Sequence, residues 1–189
     1  MTVHVVGIGG SIRSDSQSER ALQIALAGAE SAGAKTTMIS GAQLMLPFYD
    51  PSESERPAAA IRLIEELRSA DGVLLVSPGY HGTISGLVKN ALDYVEDMRG
   101  DEPPYLDGRA VGCVAAAFGW QAAVTTLTAL RSIVHALRGW PTPLGAAVNS
   151  AEVTFDEYGC SDPKVEATLR TIGRQVVEFA LHQNNDMTP

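Results

Sequence analysis

Cysteine is scarce in this chain: Cys113 and Cys160 are its only two, and neither has a Cys or His nearby at metal-ligand spacing. That excludes a disulfide framework and a zinc-type cluster. Cys113 lies in the apolar run Ala110 to Ala117 and reads as a small core residue, whereas Cys160, between Gly159 and Ser161, reads as a loop residue. Histidine is hardly more useful. His4 falls in the first strand, His135 near the end of a helix and His182 near the C-terminus, so no nucleophile and base pair up. Basic residues are outnumbered 14 to 22, and the net charge of -8 argues against a nucleic-acid surface and against binding to anionic membranes. Also missing are an apolar run approaching the ~20 residues of a membrane span and a charged, apolar leader at the start. A cytoplasmic protein is expected. At 189 residues and 45% hydrophobic, the chain can bury one sizeable core but is too short for two ordinary enzyme domains. The expectation is one domain over residues 1–182 and a flexible tail over 183–189.

Two glycine motifs are absent as well. Gly7-Ile8-Gly9 begins a dinucleotide fingerprint, but the third glycine would fall at Ile12, and Ser40 stands where the ribose-binding acid is expected after the second strand. A P-loop needs a Gly-Lys-Ser/Thr tail, which does not follow. This loop is therefore built for neither NAD nor ATP. What it does contain is Gly9-Gly10-Ser11-Ile12-Arg13-Ser14-Asp15-Ser16-Gln17-Ser18, between a β-branched strand (Val3, Val5, Val6, Ile8) and a helix with Leu22, Ala25, Leu26 and Ala29 on one face. Unpaired N–H groups and the positive end of the helix dipole attract an anion there. Ser11, Ser16 and Ser18 add hydroxyls, and Arg13 adds a planar guanidinium. Taken alone, the loop is equally well read as a solvated cap, with Ser16 or Ser18 as N-cap and Arg13 paired to a surface acid.

A second loop, Ser77-Pro78-Gly79-Tyr80-His81-Gly82, follows the apolar run Val73 to Val76, which has the character of a strand covered on both faces. The run is expected to end sharply at Ser77-Pro78-Gly79, in a turn that presents backbone N–H and C=O groups to a flat heterocycle. Tyr80 offers a stacking surface, His81 a possible donor, and Gly82 close approach of the main chain. An ordinary Pro-Gly turn carrying a surface histidine accounts for the same residues.

Periodicity predicts strands near 2–8, 35–39, 72–77, 109–117 and 144–149, and helices near 16–32, 57–69, 85–98, 121–138 and 163–182. Alternation of this kind implies an α/β doubly wound, five-stranded parallel sheet in the order 2-1-3-4-5. Strands one and three are then neighbours at the switch point, which brings the two loops together. Pro47 to Pro57 and Arg99 to Asp107 are long connections rich in Pro and acids, expected at an active-site rim or a partner contact.

Gly10-Ser11-Ile12-Arg13-Ser14-Asp15-Ser16 and the longer stretch Ser77 to Tyr94, ending Gly86-Leu87-Val88-Lys89-Asn90-Ala91-Leu92-Asp93-Tyr94, resemble the NAD(P)H-dependent FMN reductases of flavodoxin-like fold. The similar layout continues through Ala115-Ala116-Ala117-Phe118-Gly119-Trp120. The resemblance implies that Ser11, Arg13, Ser16 and Ser18 bind the FMN phosphate. It also implies that Pro78, Gly79, Tyr80 and His81 line the ring, with Phe118, Gly119 and Trp120 on its other side. Three departures stand out: Gly79 occupies a position where the family commonly has Glu or another polar residue, Phe118 and Trp120 are bulky in a loop often of Ser-Gly-Gly type, and no inserted aromatic follows that loop.

The activity implied is hydride transfer from NADPH or NADH to FMN N5, with electrons passing to free flavin or another small-molecule acceptor. No catalytic side chain is assigned. An FMN-dependent azo or quinone reductase is the alternative, and a flavodoxin-like electron carrier is a further one. Part of the helix Gly86 to Met98 is expected to meet its mate in a homodimer or homotetramer, although its apolar face Leu87, Ala91, Leu92 and Val95 could equally pack on its own sheet. A partner monooxygenase that receives reduced flavin is a further implication.

Overall fold

The structure is a computed structural model that describes residues 2–13, 15–157 and 159–186; Ser14 of the first loop and residues 187–189 of the expected tail lie outside them. Strand β1 (His4–Gly9) leads to helix α1 (Gln17–Ser31), β2 (Lys35–Ser40), α2 (Ala58–Ser69), β3 (Gly72–Tyr80) and the short β4 (Thr83–Ile84). Then come α3 (Gly86–Asp93), β5 (Ala110–Ala117), α4 (Trp120–Ala136), β6 (Trp140–Pro141), β7 (Ala146–Asn149), a small hairpin β8 (Phe155–Asp156) and β9 (Gly159–Cys160), and α5 (Pro163–Asp186). The main sheet runs β2-β1-β3-β5-β6, with β7 also on β5 and β4 on β3. Apart from the antiparallel β3–β4 pair its ladders are parallel. Taken over its five principal strands, this is the expected flavodoxin-like α/β order 2-1-3-4-5.

Alternate residues of each central strand feed two cores. Val6, Ile8, Val73, Leu75, Val111 and Cys113 pack with α2, α3 and α4, while Val5, Leu74, Val76, Ala110 and Val114 pack with α1 and α5. Residues of β1, β3 and β5 are buried on both faces, which explains why these strands read as continuous apolar runs and not as alternating ones. Helices α1 and α5 cross closely: a Cβ on Gly28 would lie 2.2 Å from the Arg170 carbonyl oxygen, and one on Gly173 would lie 2.0 Å from that of Ala25. No helix among the described residues is long and apolar enough to cross a membrane.

Several local expectations need correction. The expected strand 144–149 is present as β7 over Ala146–Asn149, and a two-residue strand β6 that was not expected precedes it, the chain leaving β5 between Pro141 and Ala146. The expected helix 85–98 is α-helical only to Asp93 and tightens into a 3-10 turn over Tyr94–Met98. Cys160 belongs to the β8–β9 hairpin and not to a loop. Helix α5 continues to Asp186, four residues into the segment expected as tail. On α3 and the 3-10 turn that follows it, Ala91, Leu92 and Val95 are buried and Leu87 packs against the same core, so that face is covered by its own sheet. The connection Pro47 to Pro57 is pinned by Arg56, which donates to both Asp97 oxygens at 2.7 and 2.9 Å and lies over the Tyr49 ring. This bidentate hydrogen bond holds the Asp97 carboxyl below its ordinary range.

Candidate functional site

The carboxyl ends of β1, β3 and β5 surround a cavity of about 510 Å³, lined by Ser11, Arg13, Asp15, Ser16, Gln17, Ser18, Pro78, Gly79, Tyr80, Ala116, Ala117, Phe118 and Ser150. The sheet order explains this convergence, since β1 and β5 flank β3 and their loops leave on the same side.

At one end stands the start of α1. Ser16 is its N-cap; its Oγ accepts from Glu19 N–H at 3.1 Å and lies 3.1 Å from Ser18 Oγ, and both residues are buried. Among the described residues the Gln17 and Ser18 amides have no acceptor, as the first turn of a helix leaves them. Arg13 is exposed, and among the described residues its guanidinium makes no hydrogen bond or ion pair and so has no surface acid as partner. Its backbone N–H donates to Ser11 Oγ at 3.3 Å. This end therefore presents two amides, hydroxyls and an unpaired cation, the donor set for a terminal phosphate. The Asp15 carboxylate lines the same wall, a residue the sequence reading passed over.

At the other end the geometry differs from expectation. The chain does not turn at Pro78-Gly79; β3 runs straight through to Tyr80 and pairs Pro78 with Ala116. Proline is tolerated because Val76 accepts from Gly10 N–H across the β1 side, so Pro78, two residues on, directs its missing donor to the side where β1 has ended. The turn lies at His81-Gly82, with φ of 50° and 90°, both left-handed as a two-residue type I′ hairpin requires. Ser77 Oγ accepts from Ser85 N–H at 3.0 Å, and Ser85 caps α3 through Val88 N–H at 3.2 Å. The hairpin is thus fastened at its base. Gly79 is imposed by packing, since a Cβ there would lie 2.5 Å from Thr126 Oγ1 and 2.8 Å from Ala117 Cβ. Helix α4 fills the space that a larger side chain would need.

Of the residues expected at the ring, Pro78, Gly79, Tyr80 and Phe118 line the cavity. Gly119 and Trp120 line a neighbouring cavity of about 400 Å³ with Gly82, Phe118, Gln121, Ala122 and Thr125, and Phe118 borders both. His81 is exposed at the turn and lines neither. Sequence reasoning missed Asn149 and Glu152, which hold the third loop. Asn149 Oδ1 accepts from Gly119 N–H at 2.7 Å, while Glu152 Oε1 accepts from Asn149 Nδ2 at 2.7 Å and from Trp120 Nε1 at 2.9 Å. No motif announces them, because the contact joins β7 to α4 across 30 positions. No cluster of three or more metal-ligating side chains occurs among the described residues. Burial pushes the Cys113 thiol up to about 12, which makes it inert at neutral pH.

Residues 3–153 match the family described as NADPH-dependent FMN reductase. The chain is 31% identical over 141 residues to an FMN-dependent NADPH-azoreductase of Staphylococcus aureus, covering 72% of this chain and 71% of that one. It is 29% identical over 115 residues to an NADPH azoreductase of a Bacillus species, spanning 60% of this chain and 61% of that protein's length. Among solved structures, the flavoenzyme NAD(P)H:(acceptor) oxidoreductase FerB of Paracoccus denitrificans superposes with a TM-score of 0.77 over 96% of this chain and 99% of that one, at 20% identity. An apo NADH:FMN oxidoreductase gives 0.69 over 96% and 90%, at 19% identity. With the two-loop cavity, the sheet order and the match over most of its length, the chain belongs to the NADPH-dependent FMN reductase family of flavodoxin-like oxidoreductases.

Proposed function

We propose that the protein binds FMN across the first cavity and reduces it with NADPH or NADH, passing the electrons to free flavin or to a small organic acceptor such as an azo compound or quinone. The observation that carries this is one cavity with Arg13, which makes no ion pair among the described residues, and buried Ser16 and Ser18 at one end, and Pro78, Gly79, Tyr80 and Phe118 at the other. The donor set fits a terminal phosphate, and the flat strand segment Pro78–Tyr80 facing Phe118 fits a planar ring. When bound, FMN supplies a hydride acceptor at N5 and a two-electron store. The protein's share is orientation. Arg13, Ser11 and the first amides of α1 hold the phosphate; the Pro78–Tyr80 segment holds one edge of the ring; Phe118, with Gly119 and Trp120 behind it, limits the open side. No side chain here is assigned a proton to move.

Because one face of the ring serves both nicotinamide and acceptor, the two alternate, and ping-pong kinetics are expected with a dye or quinone. Anaerobic stopped-flow absorbance tests the reading. NADPH or NADH should bleach the bound flavin within seconds, and a flavin left oxidised would favour an electron carrier instead.

The working unit in this reading is a single domain assembled as a homodimer or homotetramer in the cytoplasm. A partner monooxygenase is one destination for reduced flavin in the same reading. Exposed Ile12, Met45 and Phe48, on loops at the cavity's end of the sheet, support a second copy covering that side. Light scattering on the flavin-loaded protein should give a multiple of 20.0 kDa, and a monomer at micromolar concentration would rule the assembly out.

A further inference from the structure

Glu152 is exposed, yet its place is fixed from two directions. Its own N–H and that of Val153 both donate to the Asn149 carbonyl at 3.0 Å, and Val153 and Phe155 anchor the segment in the core. From this turn a single carboxylate oxygen, Oε1, accepts from Trp120 Nε1 and Asn149 Nδ2. Asn149 in turn accepts from Gly119 N–H and from Ala151 N–H at 3.1 Å. One acid therefore ties together the end of β7, the residue preceding α4 and the first side chain of α4. Without that bond, the half-exposed Trp120 could move among several rotamers on the first turn of its helix.

The indole held in this way forms one wall of the second cavity, whose lining of Gly82, Phe118, Gly119, Trp120, Gln121, Ala122 and Thr125 carries no charged side chain. Phe118, 84% exposed, stands between the two cavities and borders both. A flat uncharged ring system that reaches past Phe118 meets a second aromatic surface there. A hydrated metal ion or a single small ring gains nothing from that surface.

Resting on the reductase reading above, we propose that Glu152 is a positioning residue for acceptor selectivity: it locks Trp120 as the outer wall of the second cavity, and so favours extended planar aromatic acceptors over small ones. The same carboxylate oxygen makes both bonds, so the carbonyl oxygen of a glutamine can replace it and an alanine cannot.

The test compares Glu152→Ala and Glu152→Gln in FMN-loaded protein, with 4-aminoazobenzene as the extended acceptor and p-benzoquinone as the small one. Glu152→Ala should raise KM for the azo compound roughly three- to tenfold, the range of one lost hydrogen bond at a partly exposed site. KM for the quinone should change by less than about twofold, and Glu152→Gln should restore both values. In a Trp140→Phe background, which leaves Trp120 as the sole tryptophan, Glu152→Ala should lower the steady-state fluorescence anisotropy and Glu152→Gln should not. In Trp120→Phe protein, which keeps a ring but lacks the donor, adding Glu152→Ala should have little further effect on the azo KM. Equal KM changes for both acceptors, unchanged anisotropy, or failure of the glutamine to rescue would overturn the assignment. Lack of turnover by the unmodified protein with either acceptor would overturn the reductase reading and this inference with it; normal turnover with an unresponsive Glu152 would overturn the inference alone.

Discussion

The two ends of the cavity are built differently. At the end proposed for the phosphate, a helix start provides unbonded amides and buried hydroxyls, and Arg13, the cation lining it, is exposed and makes no ion pair among the described residues. At the ring end, the β3–β4 hairpin, α4 and the turn after β7 are fastened to each other by Thr126, Asn149 and Glu152. The first end relies on local chain chemistry and stays open to a charged group. The second relies on contacts between distant segments, and its Trp120 is held by Glu152 without being buried. Under the proposed function, binding strength for the anion and shape selectivity for the ring therefore reside in separate residues.

The sharpest way to break that contrast is Gly79→Ala. The new methyl would collide with Thr126 Oγ1 and Ala117, pushing α4 away from β3 and loosening the Thr126 hydroxyl from Thr83 O, to which it donates at 3.2 Å. Overpacking of this kind costs roughly 1–3 kcal/mol, so urea midpoints should fall. Removing the first of the two clashing groups with Thr126→Ala should recover part of the loss. A Gly79→Ala protein as stable as the parent would show that the ring end is not packed as tightly as described.

Arg13→Ala tests the other end, where a smaller effect is expected. A charged hydrogen bond to phosphate is worth more than a neutral one, but exposure of the guanidinium screens it, so FMN affinity should drop roughly tenfold with riboflavin nearly unchanged. Flavin fluorescence titrations decide it. Equal losses for both flavins would remove Arg13 from the phosphate end, and no loss for either would leave the helix amides and serines to hold the anion.

Legibility from sequence follows the same division. The apolar runs of β1, β3 and β5, the amphipathic face of α1 and the Ser16 cap could be read from the chain because each is set by neighbours within a few residues: burial periodicity, side-chain branching and a hydroxyl placed before a helix. So could the family, since Gly10 to Ser16 and Ser77 to Tyr94 carry its motifs in contiguous form. The position of the turn could not. Pro78-Gly79 looks like a break in isolation, and the strand continues only because β1 stops at Gly9 and leaves Pro78 no ladder partner to lose on that side. Gly79 itself is explained by a helix that begins some forty residues later. The split of Gly119 and Trp120 into a second cavity, and the hold that Glu152 has on the indole, depend on where β7 delivers its turn beside α4. Sequence determined the central strands, the start of α1 and the family, because those rest on short-range preference. Only the tertiary structure decided the shape of the ring end, because it is made by side chains that meet across the sheet's carboxyl edge.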